Sequence, residues 1–221
     1  MSSDWEERAR AAQARYEDGA GRLPEDADER QRQLTRMGNA AWGAGLAMLM
    51  LGRRGEANEW LVRAAETYRR SWDGAPPGSW GRPIGAMKSR LIAGDLDGAR
   101  QDARWALDAS AKVSESAIGR YAASLANLVL GEDVDAAALV TTLSGVEAIP
   151  PAVVDSVSAL AASDAPAYES SIHALVADFE AREEFLEDMA VADTVLALQA
   201  LASERGLSVS LTSPYLPEEM T

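Results

Sequence analysis

The clearest prediction of local structure comes from the run Gly94-Asp95-Leu96-Asp97-Gly98-Ala99-Arg100-Gln101-Asp102-Ala103-Arg104-Trp105-Ala106-Leu107. A Gly-Asp turn precedes apolar residues that share one helical face: Ala99, Ala103, Ala106 and Leu107. The charged residues of the run, including Asp102, fall mostly on the opposite face. The preceding segment, 83–93, has bulkier apolar residues at helical spacing: Ile84, Met87, Leu91 and Ile92. Because small side chains on the second helix allow the first to approach closely, the two segments are predicted to form a helical hairpin.

Turns of this kind recur along the chain. They fall at Gly55, Gly94, Gly131 and Ser163, with spacings of 39, 37 and 32 residues. Helical repeats have periods of about 33–47 residues, and each hairpin in such an array covers the apolar face of its neighbour. The sequence therefore predicts an all-α protein in which residues 1–221 form one α-solenoid of antiparallel helical hairpins.

The Gly94–Leu107 run also resembles the second half of a tetratricopeptide repeat. That half-repeat begins with Gly-Asp and an aromatic residue, and continues with alanine, a bulky residue and Ala-Leu. Here Leu96 takes the aromatic position and Ala103 takes the bulky one, so the match is partial. The resemblance implies a tetratricopeptide-like array, and such arrays hold peptides or proteins in a concave groove.

The other helices are predicted from apolar periodicity and from Gly, Pro and Ser-Asp punctuation. They cover residues 3–17, 25–51, 56–72, 116–130, 134–143, 152–162, 165–180 and 184–205. A capping box of Ser3 and Glu6 is predicted to start the first helix, and Ile118 is placed on the inner face of the helix over 116–130. The tail, 207–221, is predicted to be extended and to cap the array by folding Leu211, Tyr215 and Leu216 back onto the final helices.

Composition excludes several classes of function. The chain has no cysteine, which rules out disulfides, thiolate catalysis and zinc–sulfur sites. No apolar segment approaches bilayer length and the charged N-terminus does not resemble a secretory signal, so we expect a cytoplasmic protein with no membrane contact. The net charge of −14 disfavours binding to nucleic acid. Acidic, lysine-poor composition, with only Lys88 and Lys112, is typical of halophilic proteins, although GC-rich codon usage also replaces lysine with arginine.

No arrangement typical of catalysis is found in the sequence. His173 is the single histidine, and the adjacent Ser170 and Ser171 cannot face it in a triad. No glycine-rich phosphate loop occurs, and the carboxylate runs are interpreted as a solvated acidic surface. We therefore expect no catalytic residues, no metal and no cofactor, and the protein is predicted not to be an enzyme.

Four residues around the longest irregular stretch, 73–83, are the candidates for binding a protein partner. Trp72, Trp80, Arg82 and Arg90 are of the types that most often anchor interfaces. The alternative is structural: the two tryptophans seal the joint between adjacent hairpins, as expected for residues that are buried on average. The sequence favours the structural interpretation, and a role in binding a partner remains the alternative.

The C-terminal third contains several short motifs: Ser163-Asp164-Ala165-Pro166-Ala167-Tyr168, Ala174-Leu175, Phe179-Glu180, the run Leu-Gln-Ala-Leu-Ala-Ser-Glu-Arg-Gly at 198–206, and Ser213-Pro214-Tyr215-Leu216-Pro217. Together with the earlier Ala93-Gly94-Asp95 turn, they resemble an all-helical family of immunity proteins from bacterial polymorphic-toxin systems, number forty-nine in the usual series. The resemblance implies a protein that binds and neutralises a toxin, and an acidic chain would suit a basic toxin. The alternative is a tetratricopeptide-like scaffold or adaptor that holds a peptide or protein in its concave groove.

Overall fold

A computed structural model describes residues 2–218 of the chain, without the side chains of residues 2 and 3. These residues form ten α-helices and two short 3-10 turns, and no β-strand is present among them. The helices are α1 (Ser2–Gly21), α2 (Ala27–Met50), α3 (Arg54–Arg70), α4 (Gly81–Ala93), α5 (Leu96–Asp108), α6 (Ala117–Leu130), α7 (Asp133–Thr141), α8 (Pro151–Ala161), α9 (Ala165–Glu180) and α10 (Asp193–Glu204). The prediction of an all-α protein is confirmed.

The helices pack in the order in which they follow one another. From α1 to α9, each helix packs against the next, and α4, α6 and α8 also contact one another in succession. The last helix departs from this order, because α10 packs against α4, α8 and α9. The C-terminal part of the chain therefore returns to helices that lie far from it in sequence.

The turns at Gly94, Gly131 and Ser163 form where the sequence predicted them, and their backbone geometry explains why. The turn predicted at Gly55 instead occupies residues 51–53, because Gly55 already lies within α3. Gly94 and Gly131 end α4 and α6 with left-handed φ values of 75° and 80°, which glycine adopts without a steric penalty. The next helix after Gly94 begins with a cap, in which the Asp95 carboxylate accepts a hydrogen bond from the Gly98 amide. A side chain at Gly98 would collide with Arg90 and Asp95. These residues fix the tight α4–α5 hairpin.

Alanine makes the close packing of the hairpins possible. Ala99, Ala103 and Ala106 have no exposed surface, and they belong to one apolar core that extends through most of the molecule. Asp102 is the exception to the predicted pattern on this helix, because it is only 1% exposed. Ile118 departs in the other direction, since 37% of it is exposed although it was predicted to lie inside.

The largest correction concerns the last helix. The helix predicted over 184–205 begins at Asp193, and residues 181–192 contain only a 3-10 turn. Within that turn Glu187 and Asp188 have left-handed φ values of 55° and 56°, which an α-helix does not accommodate. The Glu187 side chain pairs with residues of α1 and α2, so tertiary contacts override the local preference for helix.

The first helix also differs from its prediction. It continues to Gly21 instead of ending near residue 17. The packing of Gly19 against α2 explains the extension, since an added Cβ there would lie only 2.8 Å from Met37 Cγ. The predicted Ser3 capping box depends on a side chain that lies outside the described residues.

The tail packs back onto the final helices. Leu211 and Leu216 are 1% and 4% exposed. The Tyr215 ring lies 5.5 Å from that of Phe179, measured between centroids. The Ala192 amide donates a hydrogen bond to the Tyr215 carbonyl at 3.0 Å, which ties the tail to the segment before α10. Whether the tail is needed to close the fold stays a prediction.

We expect Leu216→Ala to lower the free energy of unfolding by about 3 kcal/mol, because it removes a buried leucine and leaves a cavity. The matched control is Leu186→Ala, since Leu186 is 63% exposed and its loss should change stability by less than about 0.5 kcal/mol. Urea unfolding monitored by circular dichroism measures both values. Equal stability of the two variants would show that the tail does not cap the fold.

Candidate functional site

The two candidate tryptophans lie together. The Trp72 and Trp80 ring centroids are 5.6 Å apart, and the Trp105 ring stands edge-on to Trp72 at 5.5 Å. Trp80 is 7% exposed and packs with Ala122 and Ala123 of α6, whereas Trp72 is half-buried. The aromatic cluster therefore packs the start of α4 against α5 and α6.

Arg82 faces a different part of the molecule. Its guanidinium donates to the Gln31 side-chain carbonyl oxygen and to the Thr35 hydroxyl, both on α2. Its Nη1 has no hydrogen-bond partner among the described residues. Burial lowers the pKa of Arg82, and neither partner carries a charge that would counter this.

Arg90, the fourth candidate, holds a buried carboxylate. Its Nε donates to Asp102 Oδ2 at 2.8 Å, and Arg69 Nη1 donates to Asp102 Oδ1 at 2.9 Å. Burial raises the pKa of the Asp102 carboxyl, and the two arginines act against that rise. Arg90 also pairs with Asp95 at the α4–α5 turn. This network of ion pairs stabilises the α4–α5 hairpin, on whose sequence the prediction of the fold was based.

The structure therefore brings together only two of the four candidates. Trp72 and Trp80 share one cluster, while Arg82 and Arg90 bind side chains on α2 and α5 respectively. Each arginine is engaged within the chain. A role for these residues in binding a partner stays a prediction.

A polar cluster that sequence reasoning missed lies at the start of α10. Asp193 Oδ2 is 2.6 Å from Lys88 Nζ and accepts a hydrogen bond from Trp42 Nε1 at 3.2 Å. Lys88 also donates to the Thr194 hydroxyl at 2.9 Å. The Lys88 and Asp193 side chains are only 14% and 18% exposed. Since Asp193 is the first residue of α10, its charge also interacts favourably with the helix dipole. The cluster thus fixes α10 to α2 and α4.

A second polar chain anchors the segment before α10. The Tyr68 hydroxyl donates to Asn39 Oδ1 at 2.9 Å, and Asn39 Nδ2 donates to Glu187 Oε1 at 3.2 Å. The other Glu187 oxygen pairs with Arg15 at 3.1 Å. Burial raises the pKa of Tyr68, and the carboxylates of Asp193 and Glu187 act in the same direction. Tyr68 therefore remains a neutral hydrogen-bond donor.

Several cavities are lined by residues of α10, and two of these are candidate sites. The larger, about 410 Å³, lies between the ends of α2 and α4, the C-terminal half of α10 and Val209 of the tail. The smaller, about 190 Å³, is bounded by α6, α8, α9 and the start of α10. Its walls are mainly apolar, and its polar members are Tyr121, Thr194 and Arg182. The arrangement can enclose a small apolar group that has a hydrogen-bonding atom.

The described residues contain no group of side chains placed to bind a metal ion and no helix that could cross a membrane. Within residues 2–218, no three His, Cys, Asp or Glu side chains are grouped so as to hold a metal ion. His173 is exposed on α9. Across the described helices, none combines the length and the apolar character needed to cross a bilayer.

Comparisons with known proteins identify no relative of this chain. No protein family matches the chain, and no curated protein and no solved structure is detectably similar to it. The resemblances to immunity proteins and to tetratricopeptide repeats thus rest on the sequence motifs alone.

We expect Asp193→Ala to lower the free energy of unfolding by about 2 kcal/mol, because the mostly buried Lys88 ammonium loses its counter-charge. Asp135→Ala is the matched control, since it breaks the pair with the other lysine, Lys112, where both side chains are about half exposed. That change should cost less than about 1 kcal/mol. Thermal and urea unfolding would measure both, and equal effects would show that the Asp193 pair does not hold α10 in place.

Proposed function

We propose that this chain is a non-enzymatic protein-binding protein, and most concretely an immunity protein that binds and neutralises a basic toxin. The distribution of charge is the observation that carries the proposal. Residues 113–221 contain 18 acidic and three basic residues, whereas residues 1–112 contain 17 acidic and 18 basic residues. The excess negative charge of the chain thus lies entirely in its C-terminal half.

Many of the described carboxylates of that half are available to a partner. Those that are exposed and form no ion pair among the described residues include Glu147, Asp155, Asp164, Glu169, Glu183 and Glu184. They lie on α8, α9 and the adjoining loops. Unpaired surface charge of one sign attracts an oppositely charged protein and accelerates its association. A basic toxin is the partner that this surface fits best.

The arrangement of the helices supports a repeat protein that binds through its outer surface. If the hairpins stack as a tetratricopeptide-like solenoid, the successive contacts of α4, α6 and α8 identify its inner face. The packing of α10 on α4 and α8 then covers part of that face with the chain itself. This favours the acidic surface over a concave groove as the binding site, and favours the immunity protein over the scaffold. We place this activity in the cytoplasm, where a producing cell would need protection.

The test is affinity capture from the native cell, followed by mass spectrometry and by co-expression with the captured protein. We expect a basic protein that inhibits growth alone and is harmless when this chain is present. Reversing three charges, D155K/E169K/E183K, should abolish capture, since these carboxylates lie on the acidic surface.

The matched control is E25K/E59K/E66K, which changes the net charge equally at exposed, unpaired carboxylates of the other half. This variant should retain the partner. Equal capture by both variants would show that the acidic half is not the binding surface. A captured partner that is not toxic would contradict the immunity function.

A further inference from the structure

The smaller cavity has the size of one aromatic ring. Its volume is about 190 Å³, and an apolar cavity of roughly 150 Å³ is known to hold benzene. Ile149, Val153, Leu175 and Phe179 supply apolar walls and are at most 9% exposed. Arg182 is the exposed member of the lining, so the opening of the cavity lies on its side.

The cavity also contains a hydrogen-bonding group that lacks a partner. Tyr121 is 7% exposed and lines the cavity, and its hydroxyl forms no hydrogen bond with any described residue. In contrast, the hydroxyls of Tyr68 and Tyr168 donate to Asn39 and Gln199. The Tyr121 hydroxyl is therefore available to a group that enters the cavity.

Unpaired carboxylates lie close in sequence to residues that line the cavity. Glu183 and Glu184 directly follow Arg182, and Glu147 precedes Ile149 by two residues. All three are exposed, and none forms an ion pair among the described residues. The Arg182 charge is compensated by Asp178 at 2.8 Å. A ligand that enters here meets negative charge at the rim and an apolar interior with one free hydroxyl.

We propose that this cavity, bounded by α6, α8, α9 and α10, receives a tyrosine side chain of the protein partner that is flanked by lysine or arginine residues. The ring fills the apolar interior, its hydroxyl forms a hydrogen bond with Tyr121, and the basic neighbours face Glu147, Glu183 and Glu184. Aromatic residues with a polar tip are frequent interface anchors. The inference rests on the proposed function and identifies the partner feature that is recognised.

The test uses three fluorescein-labelled pentapeptides, Arg-Lys-Tyr-Lys-Arg and its analogues with Phe or Ala at the centre. Fluorescence anisotropy at low salt should give binding about tenfold tighter for Phe than for Ala, because a ring is buried. The Tyr peptide should bind about fivefold tighter than the Phe peptide, because one hydrogen bond is added. Equal binding of all three peptides would overturn the proposal.

Two variants locate the contact. Tyr121→Phe keeps the ring and should erase the preference for Tyr over Phe while retaining the preference for Phe over Ala. A retained Tyr preference would contradict the assigned hydrogen bond. The variant E147Q/E183Q/E184Q neutralises the rim and should weaken the binding of all three peptides equally. The remote control E25Q/E59Q/E66Q should leave the three affinities unchanged. Equal effects of the two triple variants would overturn the assigned rim.

Failure of this inference is distinguishable from failure of the proposed function. If the wild type captures a toxin but binds all three peptides equally, the cavity does not recognise a tyrosine, although the immunity function stands. If the peptides are discriminated as expected and no toxin is captured, the cavity assignment stands and the immunity function fails.

Discussion

The position of α10 against the other helices depends on the ion pair between Asp193 and Lys88. This pair is mostly buried, and Trp42 adds a hydrogen bond from a third helix to the same carboxylate. Because α10 is apolar on most of its surface, its burial between α4, α8 and α9 is favourable but does not by itself specify one position along its axis. A charge at its first residue specifies that position, since a shifted helix would leave Asp193 or Lys88 buried without a counter-charge.

The two halves of the chain use their charges differently. In the N-terminal half, arginines engage partners within the chain, as Arg90 and Arg69 do with Asp102 and as Arg15 does with Glu187. In the C-terminal half, basic residues are scarce, and most of the described carboxylates face solvent without an ion pair. The exposed carboxylates of the C-terminal half are therefore not balanced by basic residues, and their negative charge can attract a basic partner.

The sequence was sufficient for features that are encoded locally. The turns at Gly94 and Gly131 need a left-handed residue, and the alanine face of α5 needs only its own spacing, so both could be predicted. The candidate tryptophans and arginines were recognised by residue type, but their directions depend on packing and they separate in the structure. The contact of Lys88 with the start of α10 could not be foreseen, because Lys88 and Thr194 lie 106 residues apart and no local pattern links them. For the same reason the irregular segment before Asp193 was predicted as helix.

Native-state hydrogen exchange tests the seating of α10 most directly, since it reports the free energy of opening for each segment. If the Asp193 cluster and the tail hold α10 as described, its amides exchange only through global unfolding and are as protected as those of α2 and α4. Exchange of α10 and residues 185–192 at a free energy several kcal/mol below that of global unfolding would contradict the account, because it would show a last helix that detaches while the rest of the chain stays folded.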